Sequence, residues 1–266
     1  MKKTILASVA AVALLTAGAA AAAGNSSTVN QTGTGQTATV DQSVGDNGLS
    51  TVDQTGASQT ATVTQGVLPG ANHNTSDIDQ AGASNGATVS QDGTWNSSDI
   101  DQANSGNAAF VTQVGTGLAL GDVNEAVIDQ LASVNASATI TQTGYGNFAS
   151  SVQGATGLVN SATMTGDNNT SFIRQNTGAP IGDTPNNSAT LTVVGDNNYS
   201  EIFQGEGTPS AHDNTATVDQ LADGNFSYVY QNGVNGLAEV KQTTDGNTST
   251  VSQLAGSTNA QAFVTQ

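Results

Sequence analysis

The sequence predicts an all-β fold, a two-sheet β-solenoid of about ten coils, each of 22–23 residues, stacked along one axis. Three observations predict it. Glutamine recurs at near-constant spacing along the chain, small and aliphatic residues alternate with polar ones ahead of each glutamine, and Ser and Ala tend to alternate from one such unit to the next.

The glutamine series is Gln31, Gln42, Gln54, Gln65, Gln80, Gln91, Gln102, Gln113, Gln130, Gln142, Gln153, Gln175, Gln204, Gln220, Gln231, Gln242, Gln253 and Gln266, with Met164 and Val193 in two further slots, and most slots lie 11 residues apart. The residue two before the slot is Val, Ile or Leu in 18 of 20 cases, among them Val40, Val63, Ile78, Val89, Ile100, Val111, Ile140, Ile202, Val218, Val229, Val240 and Val251. Ser151 and Ala162 depart from that rule. Four before the slot stands Ala or Ser, except at Asn160, and six before it is usually Asn, as at Asn74, Asn85, Asn96, Asn107, Asn147, Asn198, Asn225 and Asn247.

Period two over seven residues, with β-branched residues at its most apolar point, is the signature of a strand with one buried face. The other four residues of a unit, such as Thr143-Gly144-Tyr145-Gly146, carry the glycines of tight turns. Where the spacing lengthens, before Gln80, Gln130, Val193 and Gln220, the Asn six before the slot persists at Asn74, Asn124, Asn187 and Asn214. The extra residues therefore enter turns. Pro69, Pro180, Pro185 and Pro209 all fall in those enlarged turns, where a missing N–H breaks no ladder.

The small residue four before the slot runs Ser27, Ala38, Ser50, Ala61, Ser76, Ala87, Ser98, Ala109, and later Ala216, Ser227, Ala238, Ser249, Ala262. Two strands thus make one repeat, and each coil gives one strand to each of two facing sheets. In a parallel in-register stack, identical side chains lie about 4.8 Å apart, so an inward amide donates to one neighbour and accepts from the other. Burial of the aliphatic residues at roughly 1.5–3 kcal/mol each supplies the driving force against chain entropy. Uncapped ends of such a stack template further copies and grow a filament.

Residues 1–23 have the build of a secretory signal: Lys2 and Lys3, an apolar run from Ile5 to Leu15, then small residues through Ala23. The expected mature chain, 24–266, is one repeat domain. Removing the two lysines takes the formal charge from −17 to −19, which leaves only Arg174 and Lys241 as basic residues. Nucleic-acid binding, which needs clustered Lys and Arg, is excluded on that ground. Cysteine is absent, so no disulfide holds the fold. Composition alone, glycine-rich and aromatic-poor with one-sided charge, reads as disorder; the order of the residues points instead to a regular fold.

The repeats resemble those of the curlin family, the subunits of curli fibres, which carry Gln-x-Gly-x-x-Asn-x-Ala-x-x-x-Gln. Gln80, Gly82, Asn85, Ala87 and Gln91 match in full, as do Gln142, Gly144, Asn147, Ala149 and Gln153, and partial matches cover nearly all of the mature chain. The resemblance implies export through a dedicated outer-membrane pore, nucleated growth at the cell surface with the chain's own copies and a nucleator subunit as partners, and a role in biofilm matrix, adhesion and aggregation. Family members often place a Gly-rich segment ahead of the repeats, whereas here repeats begin directly after the leader, and the chain carries roughly double the usual number.

Asp53, Asp79, Asp101 and Asp129 each precede a slot in successive odd-numbered strands, so the stack aligns them in one outward row. Each adjacent pair repels by about 1 kcal/mol in water, less than the aliphatic gain per rung. The row is a candidate gatekeeper against premature aggregation, with plain solubility the competing role. Calcium is disfavoured because the Gly-Gly-x-Gly-x-Asp nonapeptides of calcium-loaded rolls are missing. His73 and His212 sit in enlarged turns without a ligand cluster, so neither a metal nor another cofactor is expected. No nucleophile with a base and an orienter stands out from the repeat, which argues against an enzyme and a small-molecule substrate. Two non-enzymatic rivals are a soluble exported adhesin and an ice-binding solenoid. The second is suggested by the outward pairs Thr37 and Thr39, Thr60 and Thr62, Thr215 and Thr217, in a series that Asp77, Asp99, Phe110 and Glu201 are expected to interrupt.

Overall fold

The computed structural model describes residues 12–16, 24–42, 45–66, 73–115, 123–176, 185–205 and 211–266. They form 21 strands, numbered β1 to β21 in chain order, and no helix. One sheet, here the serine sheet, consists of β2 (Ser26–Thr34), β4 (Leu49–Ala57), β6 (Thr75–Ala83), β8 (Asn96–Gln102), β10 (Asn124–Gln130), β12 (Phe148–Gln153), β14 (Thr170–Gln175), β16 (Tyr199–Gln204), β18 (Phe226–Gln231) and β20 (Thr248–Gln253). The other, the alanine sheet, consists of β1 (Val12–Thr16), β3 (Thr37–Asp41), β5 (Thr60–Gln65), β7 (Gly86–Gly93), β9 (Ala108–Gly115), β11 (Ser137–Gly144), β13 (Val159–Thr165), β15 (Ser188–Val194), β17 (Thr215–Gln220), β19 (Leu237–Gln242) and β21 (Gln261–Thr265).

The chain crosses from one sheet to the other after every strand from β2 onward, so each strand pairs in parallel with the strand two places on. Register is locked by the repeat. Val52 lies opposite Ile78, Ile78 opposite Ile100 and Ile100 opposite Ile128, with Gln54, Gln80, Gln102 and Gln130 aligned in the same strands. A slip of one residue would turn all of these outward, which is why the period-two pattern specifies a single pairing. The apolar core is one continuous cluster running the length of the stack between the sheets, from Ala38 and Val40 to Val240 and Val251, with Val29 and Val264 packed against its ends.

The position seven before the slot adopts a left-handed backbone in rung after rung, at Asn47, Ser58, His73, Ser84, Trp95, Asn135, Asn168, Asn197 and Asn235, and at Gly106, Gly146 and Gly224. This residue bends the chain into the next strand, and Asn and Gly dominate there because they enter the left-handed region at least cost. Trp95, at φ 58°, is the poorest fit of the set; its ring stacks on His73 with centroids 4.3 Å apart. Glycine two after the slot has a different cause. A Cβ on Gly56 would lie 1.9 Å from the carbonyl oxygen of Gly82 in the next coil, so the arch closes only if the side chain is absent.

Of the segment read as a leader, residues 1–11 and 17–23 lie outside the described residues, while Val12–Thr16 forms β1 along the edge of β3. Uncapped edges among the described strands are therefore β2 at one end and β20 and β21 at the other; the β3 edge carries a strand that the sequence assigned to the leader. Segments 67–72, 116–122, 177–184 and 206–210 of the enlarged turns, with Pro69, Pro180 and Pro209, also lie outside the described residues. Pro185 stands in the connection just ahead of β15.

Candidate functional site

The side-chain ladders that run along the stack are the first element of the candidate site. In the serine sheet, the side-chain amide of Gln31 donates to Gln54 at 2.7 Å, and the chain continues through Gln80, Gln102 and Gln130 to Gln153 with donor–acceptor distances of 2.7 to 2.8 Å. It resumes from Gln175 through Gln204 and Gln231 to Gln253. In the alanine sheet the run is Gln42, Gln65, Gln91, Gln113, Gln142, then Gln220, Gln242, Gln266. Every donation points toward the C-terminal end.

The second hydrogen of Nε2 is also used in most rungs. Gln54 donates to the carbonyl of Thr37, Gln102 to that of Gly86 and Gln204 to that of Ser188, which lie at the start of a strand in the facing sheet. One amide thereby bonds along the axis and across the sandwich, so burying it carries little desolvation cost.

Asparagine six before the slot builds a ladder of the opposite sense in the serine sheet. The Oδ1 of Asn74 accepts the backbone N–H of Asn96, and the same step repeats from Asn124 to Asn147, Asn147 to Asn169, Asn169 to Asn198, Asn198 to Asn225 and Asn225 to Asn247. In the alanine sheet Asn85 serves Asn107 in this way, after which Ala136 and Leu158 take the position and close a small apolar cluster with Ala155.

Two of the three departures from the repeat, Ser151 and Asn160, prove to be one feature. Asn160 of β13 donates its side-chain amide to the hydroxyl of Ser151 of β12 at 2.8 Å, across the sandwich and fully buried. Both glutamine ladders break beside this pair: Met164 and Val193 replace amides in the alanine sheet, and Gln153 does not reach Gln175 in the serine sheet. Buried acceptors without a hydrogen-bond partner result at Gln175 Oε1, Gln220 Oε1 and Asn160 Oδ1. A further set, the hydroxyls of Ser50, Ser76, Ser171, Ser200, Ser227 and Ser249, likewise makes no hydrogen bond inside the serine sheet.

The outer faces differ from one another. On the serine sheet, register places Asp53, Asp79, Asp101 and Asp129 in one row, with Asp77 and Asp99 paired in the adjacent row. Partial burial, reinforced by the neighbouring carboxylates, pushes Asp77, Asp79 and Asp99 up, and Asp101 up to about 6. No group of three or more His, Cys, Asp or Glu among the described residues is arranged to hold a metal ion. The His212 ring nitrogen Nδ1 lies 2.8 Å from the Asp213 carboxylate.

Further along the same face the character changes. Outward positions of β12 to β18 hold Phe148, Phe172, Tyr199, Phe203, Phe226, Tyr228 and Tyr230, seven of the chain's eleven aromatic residues (six Phe, four Tyr and one Trp). Phe148 and Phe172 lie 5.3 Å apart, Phe172 and Tyr199 6.0 Å, Tyr199 and Phe226 5.3 Å and near-parallel, and Phe203 and Tyr228 5.6 Å. The two charges in this field are opposed: Arg174 lies 5.6 Å over the Phe203 ring, and Glu201 accepts a hydrogen bond from the Tyr199 hydroxyl. The segregation of these rings appears only when strands two apart are laid side by side.

The alanine sheet presents hydroxyls. Thr62 pairs with Thr39 and Thr88, and Thr139, Ser161, Thr190 and Thr217 follow in the same row, with Thr64, Ser90, Thr112, Thr141, Thr163 and Thr192 in the row beside it. Asp77, Asp99 and Glu201, expected to interrupt this series, lie on the other sheet, so the expectation is corrected at those three positions. Phe110 does stand in it, between Thr88 and Thr139, and Glu239 follows Thr217.

No curated protein matches the chain. A family model described as the curlin associated repeat matches residues 82–115 and 211–243, segments that contain β7 to β9 and β17 to β19. Those two segments thus carry the curlin associated repeat, set here in a two-sheet parallel solenoid.

Proposed function

We propose that this chain is the structural subunit of an extracellular, curli-like amyloid fibre that grows by head-to-tail addition of copies and serves biofilm matrix, adhesion and cell aggregation. The observation that carries the reading is the match between the two ends of the stack. Placing β2 of one copy on β20 of another sets Ser27, Val29 and Gln31 on Ser249, Val251 and Gln253. The same step sets Ala38, Val40 and Gln42 of β3 on Ala262, Val264 and Gln266 of β21, once β1 is removed with the leader. Gln31 Oε1, a buried acceptor without a partner within the chain, then receives the amide of Gln253, and Asn247 Oδ1 receives the N–H of Asn25. Both ladders thus cross the joint with their sense preserved, and the contact is heterologous and does not close.

A nucleating subunit and a dedicated outer-membrane pore are the partners this function requires. The aspartate row, which opposes stacking while ionised, acts as the gatekeeper during export. The joint is tested by disulfide trapping, for which the absence of cysteine is convenient. In the variant with Asn30→Cys and Ser252→Cys the two thiols meet only across a head-to-tail joint, at the strand spacing of about 4.8 Å that a disulfide tolerates. Oxidised fibres should run as a covalent ladder in denaturing gels, and a chain that yields no cross-β diffraction and no ladder refutes the reading.

The hydroxyl rows of the alanine sheet favour ice binding as a second reading, because from β11 to β15 they form an uncharged grid on a strongly acidic chain. Thermal hysteresis from fresh, unassembled chain supports it, and none counts against it.

A further inference from the structure

We propose that the aromatic field on β12 to β18 of the serine sheet is a lateral docking surface for the same field on a second copy, so that filaments pair side by side through it. The inference rests on the filament reading above. Four observations lead to it. The rings are gathered on four adjacent strands of one face. They are partly exposed, Phe226 by 38 %. Their two charges, Arg174 and Glu201, are of opposite sign. The remainder of that face, from β4 to β10, carries only carboxylates as charged groups.

Charge selects the place of contact. A chain of net charge −17 repels its copies, and on this face the repulsion is least where Arg174 and Glu201 offset one another and the surface is otherwise ring edges, hydroxyls and Val152. Phe and Tyr are also the residues that interfaces favour, large and apolar with little rotamer entropy to lose. Periodicity selects the occupant. In a filament the field recurs once per subunit, ten rungs at about 4.8 Å or roughly 48 Å, and a second filament of the same chain carries the same period. Many weak contacts then engage in phase, and their effects multiply. A polysaccharide has no such matched spacing. Screening of the acidic stretches that come to face each other requires salt, which makes the pairing weaker at low ionic strength.

The experiment uses mature chain with Phe226→Thr, Tyr228→Thr and Tyr230→Ser, which copies onto β18 the outward residues of β20, Thr248, Thr250 and Ser252, and so preserves a strand the fold already accepts. Growth is followed by dye fluorescence, and lateral association by filament width in electron micrographs and by low-speed sedimentation. The expected result is unchanged growth, with wild-type fibres bundled at physiological salt and variant fibres single. Variant fibres that bundle like wild type overturn the proposal, as do wild-type fibres that stay single yet are retained on insoluble polysaccharide, which would reassign the field to a glycan. Should no fibre form, the filament reading fails separately. Sedimentation equilibrium of the soluble chain then decides: dimers in wild type that are lost in the variant support the surface, and monomers in both overturn it.

Discussion

Replacing the buried pair Ser151 and Asn160 by the residues the repeat specifies at those positions, Val and Ala, tests the packing most directly. Ser151 lies in the column between Ile128 and Ile173, and Asn160 between Ala138 and Ala189, so each departs from both of its neighbours. Asn160→Ala alone leaves the Ser151 hydroxyl buried without a partner and opens a small void, a loss of about 1–2 kcal/mol. Ser151→Val alone strands the Asn160 amide and crowds it, costing about as much. The double variant removes the orphaned Asn160 Oδ1, restores aliphatic burial worth roughly 1.5–3 kcal/mol and forfeits one hydrogen bond of about 1 kcal/mol, so it is at least as stable as wild type. The coupling is then about 3 kcal/mol, the upper end of what contacting residues show. Guanidinium unfolding of freshly desalted chain, followed by circular dichroism, measures all four corners of the cycle. Single costs that simply add, to within about 0.5 kcal/mol, would refute the claim that the two exceptions are one feature.

Three further outcomes follow from the same geometry. Because the carboxyls of Asp77, Asp79, Asp99 and Asp101 titrate above their unfolded value of 3.8, the folded state binds more protons between that value and about 6, and stability and nucleation both increase as pH falls through this window. The lag before fibre growth should shorten from pH 7 to pH 5, and replacing Asp77, Asp79, Asp99 and Asp101 with Asn should abolish the dependence; a lag indifferent to both is evidence for a solubility role alone. Gly56→Ala should cost several kcal/mol, since the new methyl meets the Gly82 carbonyl, and an unaltered unfolding midpoint would contradict the arch geometry. Ser227→Ala removes a buried hydroxyl that has no partner and should stabilise the chain by about 1 kcal/mol in the same denaturation assay, whereas a loss would show that the hydroxyl is satisfied in solution.

Much of the architecture was legible because the repeat carries redundant information. Period two fixes strand and face, Gln fixes the slot, and the Ser and Ala alternation assigns each strand to a sheet. What stayed hidden depends on neighbours two strands away. The segregation of carboxylates from rings and the gathering of Thr into long rows on the alanine sheet arise only after register pairs Asp79 with Asp101 and Thr62 with Thr88. The bond between Ser151 and Asn160 was invisible for a related reason: each residue reads as an isolated lapse until the sheets face one another. The requirement for a left-handed residue seven before the slot was readable in principle from Asn47, Asn135, Asn168 and Asn197, but Trp95 and His73 obscure it, since their side chains suggest contact and their backbone is what the position uses.

The coincident interruption of both glutamine ladders near mid-chain has a mechanical meaning. Pulled along its axis, a stack yields where the fewest bonds link one coil to the next, and here that place is the junction around β12 to β15, flanked on either side by intact ladders. In the fibre proposed above each copy brings one such seam, so that fibre under shear would lengthen by opening seams at regular intervals and close them again when the load is released, instead of snapping at a joint between copies.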